Sequence, residues 1–170
     1  MNVEMENPAK YSLVIKTPVE FIEISGTEDV ITSMLFFDVD PGTTTEIVSP
    51  VLLEAKKQYE EYFAGTRKVF DLPHQQTGTD FQQKVWAELQ NIPFGETISY
   101  LELSRRIGDV KSIRAAGTAN GKNKINIVVP CHRVIGSDGS LTGYGGGLHR
   151  KEWLLRHEGS WPFGGQTEMF

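Results

Sequence analysis

From Ile125 to Val134 the chain reads Ile-Asn-Ile-Val-Val-Pro-Cys-His-Arg-Val, and this segment limits the possible folds more than any other. A run so rich in β-branched residues must be buried, and its composition predicts a strand. Pro130 has no amide hydrogen and cannot continue a central strand, so the strand must stop there. The strand's exit then carries Cys131, the only cysteine in 170 residues, with His132 beside it. A free cysteine is most often a small buried hydrophobe. Beside an imidazole it can be a nucleophile instead, because the imidazole helps draw off the proton and the thiolate is the reactive form.

Caps and hydrophobic periods organise the rest. Thr17-Pro18 leads into Val19, Phe21, Ile22 and Ile24, and after Gly26-Thr27 come Val30, Ile31, Met34, Leu35, Phe36 and Phe37, which predicts strands joined by a turn. Asp40-Pro41-Gly42 breaks the sheet. Ser49-Pro50 then opens a helix with Leu52, Ala55, Tyr59 and Phe63 on one face, and Gly65 closes it. His74-Gln75-Gln76-Thr77-Gly78 is polar, lacks apolar periodicity and reads as a linker. Beyond it Thr79 with Gln82 forms a capping box ahead of Phe81, Val85, Trp86 and Leu89, in a helix ended by Pro93. Ser99 with Glu102 forms a second box ahead of Leu103 and Ile107, with Gly108 as the stop. Asp109 caps a third helix that runs through Ile113 to Asn120-Gly121. Two short helices across a tight turn suggest a helix-turn-helix. The expected class is α/β in the α+β sense: a small N-terminal sheet with a helix over residues 1–76, a helical domain over 77–160, and a tail over 161–170.

Composition excludes several classes. No apolar stretch is long enough to span a bilayer. Early glutamates Glu4 and Glu6 do not suit a secretory signal, and a lone free thiol suits a reducing cytoplasm. One cysteine forbids an internal disulfide, and His74, His132, His149 and His157 lack metal-ligand spacing, so neither metal nor other cofactor is expected. A net charge of −5 argues against a polyanionic partner, but its distribution reverses that. From Tyr100 to Arg133, Arg105, Arg106, Lys111, Arg114, Lys122, Lys124 and Arg133 face only Glu102 and Asp109, so this stretch carries +5 and the remainder −10. A basic patch on an acidic body is the footprint of a nucleic-acid face. The third helix offers Ala115, Ala116, Gly117 and Ala119 for close approach, with Lys111, Arg114 and Lys122 for charge. Few of these side chains can read base edges, which suits sequence-tolerant binding.

Pro-Cys-His-Arg-Val resembles the active-site motif of the O6-alkylguanine-DNA alkyltransferases, and other blocks match that family in order. They are Gly78-Thr79-Asp80-Phe81-Gln82-Gln83-Lys84-Val85-Trp86, Ile92-Pro93-Phe94-Gly95-Glu96-Thr97-Ile98-Ser99-Tyr100, the stretch from Ile113 to Asn123, and Leu141-Thr142-Gly143-Tyr144-Gly145-Gly146-Gly147 with Arg150 to Gly159. The likeness covers residues 77–159 almost without a break. Residues 1–76 are similar to the family's variable N-terminal half, firmest at Glu61-Tyr62-Phe63-Ala64-Gly65.

The resemblance implies a ribonuclease-H-like N-terminal domain and a winged-helix-like helix-turn-helix that enters the minor groove. It implies that O6-alkylguanine, with O4-alkylthymine as a second lesion, is flipped out of double-stranded DNA because the alkylated oxygen is unreachable inside the stack. Arg114 then takes the place of the extruded base, and Tyr100 assists rotation and donates to the flipped guanine. Cys131 and Val134 backbone groups with Tyr144, Gly145 and Gly146 line the pocket. Glu158 hydrogen-bonds His132, which acts through a water on Cys131; Tyr100 and Lys151 help the departing oxygen, and Asn123 braces the helix pair against the active-site strand. The alkyl group ends as a thioether, so one monomeric molecule acts once. Where the family has proline after the bracing asparagine this chain has Lys124, and Asn126 replaces a frequent second proline, giving a looser and more basic loop. A thiol hydrolase would share the nucleophile and base but would need no basic helix pair. Alkyltransferase-like binders lack the cysteine that is present here.

Overall fold

The computed structural model describes residues 10–161, which divide after Gln76 into two compact units. The tail expected from the sequence lies outside the described residues apart from Trp161, whose ring lies 4.7 Å from the Arg156 guanidinium.

In the first unit β1 (Tyr11–Thr17), β2 (Glu20–Gly26) and β3 (Ile31–Phe37) form an antiparallel meander in chain order. Pairing of Leu13 with Ile24, Ile15 with Ile22 and Ile24 with Met34 collects the large apolar side chains on one face. Helix α1 (Pro50–Ala64) packs on that face through Leu52, Ala55, Tyr59 and Tyr62. Gly26 has no room for a side chain there: an added Cβ would strike the Val30 carbonyl oxygen and lie 3.0 Å from Leu52.

Several expectations change. Thr17 ends β1 and Pro18-Val19 is the hairpin turn into β2, so Val19 lies in the turn and not in the strand; the Thr17 hydroxyl donates to Glu20 O and accepts from Val19 N, while Glu20 takes a left-handed φ of 71°. Strand β1 is an addition to the expected elements; Leu13 and Ile15 are buried and alternate with the less buried Ser12, Val14 and Lys16. Helix α1 turns Tyr62 inward and leaves Phe63 half-buried. Ser49 holds the N-cap position of α1 with Pro50 after it, as expected, but its hydroxyl makes no capping bond and donates to Thr27 O instead. Gly65 does close it, at φ 86°. His74 and Gln75 are not linker: Ile31 N donates to Pro73 O and Gln75 N to Ile31 O, stitching the returning chain to β3.

The second unit is mainly helical. Helix α2 (Asp80–Leu89) begins with the complete Thr79–Gln82 capping box. β4 (Ile98–Ser99) runs directly into α3 (Tyr100–Arg106), where the Ser99 side chain accepts from Glu102 N without the reciprocal half of a box. Asp109 caps a 3-10 turn, Val110–Ser112, and α4 (Ile113–Gly121) follows. Gly121 is still helical and the cap residue Lys122 is right-handed, so the expected glycine stop does not form. β5 (Val134–Ile135) pairs in parallel with β4, and α5 (Leu148–His157) closes the unit. Helices α2, α3 and α4 pack on one another.

The strand expected over Ile125–Val129 does not exist. The segment is a tight loop in which Val129 N donates to Ile125 O and Val128 N to Asn126 O, with Ile127 at φ 74°. Ile125, Ile127 and Val129 are apolar because they fill the interior, each at most 1% exposed, and not because they pair in a sheet. A buried loop needs partners for its carbonyls. The Asn123 side chain supplies them, donating to Val129 O at 2.8 Å and approaching Ile125 O at 3.5 Å.

Candidate active site

Cys131 opens a second 3-10 turn, Cys131–Arg133, packed against α2 and α5. Cys131 is 3% exposed. Asn123 Nδ2 donates to its sulfur at 3.2 Å, and Asn126 Oδ1 lies 3.9 Å away as an acceptor for the thiol. Burial pushes the thiol pKa up, against smaller downward pulls from the Asn123 amide and the Lys151 charge. At rest the group is a protonated thiol, and it needs a base.

The adjacent residue is suited to that role. His132 has no exposed surface, and burial, its largest influence, lowers its pKa, so the ring is neutral near pH 7. Nε2 is 2.8 Å from Glu158 Oε2. An ionised carboxylate can only accept, so Nε2 must carry the ring proton and Nδ1 must hold a bare lone pair. Nδ1 is buried and has no hydrogen-bond partner among the described residues.

Glu158 caps the C-terminal end of α5. Burial alone would raise its pKa, but the contacts with His132 and Arg133 together hold it well below the ordinary carboxylate range. Because His132 is neutral, the compensating charge is Arg133. That guanidinium donates from Nε to Oε1 at 2.8 Å and from Nη2 to Oε2 at 3.1 Å, and its Nη1 reaches Ile92 O at 2.7 Å. Arg133 is only 7% exposed. It therefore leaves the basic patch to which the sequence assigned it and joins the nucleophile's support, a role set by a contact across 25 residues.

A second cluster lies at the end of the glycine loop. Lys151 Nζ donates to Val134 O at 2.7 Å and Thr142 O at 2.9 Å, and Tyr100 OH reaches the same Thr142 carbonyl at 3.3 Å. Desolvation lowers the Lys151 pKa to about 8, and its ammonium lies 5.8 Å from the Tyr100 ring centroid. Burial raises the Tyr100 pKa, keeping a neutral hydroxyl. Tyr144 OH donates to Asn126 Oδ1 at 3.1 Å. In this loop left-handed backbone occurs at Gly143 (φ 43°) and Gly147 (φ 95°). Gly145 has open space where a side chain would be, and Gly146 O accepts from Arg150.

The helix pair presents a smaller cationic face than counting suggests. Arg105 and Arg106 are paired with Glu102, and Arg106 also approaches Glu88. Lys111, Arg114, Ala115 and Lys122 are exposed. Ala116 is fully buried with Ala119 on the inner face of α4, which removes it from the exposed surface. Gly117 is half-buried opposite Tyr100: an added Cβ would sit 3.6 Å from the ring. Sequence reasoning overlooks Asn120, whose amide donates to Cys131 O, together with Asn126 and Thr142. One signal is present, since asparagine recurs at 120, 123 and 126.

A buried thiol next in sequence to a neutral, carboxylate-anchored imidazole, in a unit with a basic helix pair, has the chemistry of a protein built around one cysteine nucleophile. Comparison with known proteins narrows that class. Residues 80–160 match the family model described as 6-O-methylguanine DNA methyltransferase, DNA binding domain. The constitutive methylated-DNA–protein-cysteine methyltransferase of Bacillus subtilis is 46% identical over 156 residues, covering 87% of this chain and 94% of that protein. The crystal structure of Mycobacterium tuberculosis O6-methylguanine methyltransferase aligns with a TM-score of 0.77 at 39% identity, over 95% of this chain and 100% of that one. The Mycobacterium tuberculosis OGT structure in complex with DNA aligns with a TM-score of 0.76 at 41% identity, over 92% and 98% of the two chains. The chain belongs to the methylated-DNA–protein-cysteine methyltransferase family.

Proposed function

We propose that this chain repairs duplex DNA by moving the alkyl group of O6-alkylguanine, and of O4-alkylthymine, onto Cys131 in one irreversible turnover. The observation that carries the reading is the fixed tautomer of His132: Glu158 holds the Nε2 proton, and the bare Nδ1 belongs to the residue next to the thiol. Through a water, Nδ1 takes the thiol proton. The sulfur then forms a bond to the alkyl carbon as the carbon–oxygen bond breaks, and the oxygen's electrons return to the guanine ring. Tyr100 and Lys151 supply a proton or charge to the departing base. The thioether has no good leaving group, which makes the protein its own acceptor.

For DNA, residues 77–160 act as the binding and transfer domain, with α3 and α4 as a winged-helix-type helix-turn-helix in the minor groove. The exposed Arg114, Ala115 and Lys122 support this role, and Gly117 adds little bulk to the same surface opposite Tyr100. Arg114 fills the stack vacated by the flipped nucleotide, since a planar cation can stack and hydrogen bond together. Val134, Tyr144, Gly145 and Gly146 wall the pocket, and Asn123 ties its loop to the sulfur. The N-terminal unit is read as ribonuclease-H-like, and the chain as a monomer acting in the cytoplasm. No helix among the described residues is long and apolar enough to cross a membrane.

The test is intact mass measurement after incubation with a methylguanine-containing duplex. A stoichiometric gain of one methyl, absent from Cys131→Ser while DNA binding persists, is the expected result. Methyl uptake by the serine variant at the wild-type rate would refute the reading, and catalytic turnover of a thioester or ester without mass gain would favour a hydrolase.

A further inference from the structure

Two asparagines reach the nucleophile from the α4 side, and the proposed alkyl transfer uses only Asn123. Asn120 lies in the last turn of α4, 4% exposed, on the same inner face as Ala116 and Ala119. Its Nδ2 donates to the Cys131 carbonyl oxygen at 3.2 Å. Its Oδ1 is equally buried and has no hydrogen-bond partner among the described residues. Turning the amide round would set two oxygens against each other, so the donor must face the carbonyl. A half-satisfied buried amide is costly where alanine or leucine would fill the space. The single bond that it does make is to the backbone of the reacting residue.

The surroundings make that bond a mechanical tie. One residue earlier, Trp86 Nε1 from α2 donates to Ala119 O at 2.9 Å, fixing this end of α4. Cys131 N donates to Val129 O at 2.8 Å and Arg133 N to Pro130 O at 3.0 Å, so the 3-10 turn moves as a unit with its loop. At the other end of the helix Arg114 and Ala115 are exposed. Helix α4 thus has an outer surface open to a large ligand and an inner polar contact with the nucleophile's own carbonyl. That contact differs from Asn123, which grips the sulfur and the Val129 carbonyl from the loop.

We propose that Asn120 is a positioning residue that relays the seating of α4 on DNA to the backbone of Cys131, so that thiol reactivity depends on whether duplex is bound. The relay rests on the DNA-repair reading and adds to it a coupling between occupancy of the helix pair and the state of the thiol.

The experiment uses the full chain, Asn120→Leu, which keeps volume but removes the donor, and Asn120→Ser, whose hydroxyl is too short to reach the Cys131 carbonyl. Iodoacetamide reports on the thiol: a sulfur–carbon bond forms, iodide leaves and the proton goes to buffer, with the rate followed by intact mass. Rates are taken with and without saturating undamaged duplex, and DNA affinity is measured by fluorescence anisotropy. In the wild type, duplex should change the rate about threefold or more. In the variants the duplex should leave the rate unchanged while the affinity stays at the wild-type value. A wild-type rate indifferent to DNA overturns the relay, as do variants that respond to DNA as the wild type does, since steric shielding would persist in them. Loss of DNA affinity in the variants also overturns it, because an internal tie should not carry binding. If Asn120→Leu does not fold, the smaller serine variant decides. Failure of the wild type to bind duplex or to accept a methyl from methylated duplex would instead bring down the DNA-repair reading itself.

Discussion

Glu158→Gln tests the support beneath the nucleophile. The two carboxylate oxygens receive His132 Nε2, Arg133 Nε and Arg133 Nη2 at 2.8, 2.8 and 3.1 Å. Glutamine keeps the size but turns one acceptor into a donor that faces these N–H groups, and it leaves the 7%-exposed Arg133 without its counter-charge. Removing one partner of a buried pair typically costs about 3–5 kcal/mol. Total stabilities are about 5–15 kcal/mol, so much of the margin is at stake. For a chain of this length that cost corresponds to a fall of about 6–20 °C in Tm. Methyl transfer should slow by about 100-fold or more, as the imidazole loses the group that sets its proton. The pH dependence has a definite sign. Contacts with His132 and Arg133 outweigh burial and depress the folded-state pKa of Glu158. Its contribution is therefore present above about pH 4.3 and lost as pH falls further toward the folded value. The Tm gap between wild type and variant should narrow from pH 5 toward pH 3. His132, lowered by burial, adds stability above about pH 6.5 that is lost below it in both proteins. Thermal melts by circular dichroism and single-turnover methyl uptake measure these effects. A Tm within about 2 °C of wild type at pH 7, less than the change expected for 1 kcal/mol, would refute the buried-pair argument.

Arg114→Ala should slow repair of a methylated duplex far more than reaction with free alkylguanine, since the free base needs no flipping; equal losses in rapid-quench assays would contradict the role. Lys151 keeps its ammonium below about pH 8 and loses it above, so the wild-type transfer rate should fall on the alkaline side. Lys151→Met should lack that limb, and an unchanged limb would point to another group. Gly78→Ala would place a Cβ 2.5 Å from the Trp86 ring. Such overpacking typically costs about 1–3 kcal/mol, and denaturant midpoints equal to wild type would show that the ring can move aside. Because Trp86 also holds Ala119 O, transfer to duplex should weaken with stability.

Much of this protein is legible one short segment at a time. The Thr79–Gln82 box, the left-handed Gly65 and the sequence neighbours Cys131 and His132 depend on residues within a few positions, so local rules find them. Local rules also mislead where two causes share one pattern. Ile125, Ile127 and Val129 are apolar and β-branched like a strand, but the loop is satisfied by the Asn123 amide, a partner that β-propensity does not register. Charge counting likewise places Arg133 on a surface, because nothing near it in sequence reveals a carboxylate that arrives 25 residues later at the end of α5. Which face of α4 is exposed, and so why Arg114 is available while Ala116 is not, is decided by the packing of α2 and α3 against it. The sequence by itself determined the capped helix starts and the placing of His132 beside the lone thiol, because covalent adjacency and capping act at short range. The tertiary structure alone decided the protonation and tautomer of His132, the pairing that keeps Glu158 ionised, and the tie from Asn120 to Cys131. Those arise from burial and from contacts between distant segments, which exist only once the chain has packed.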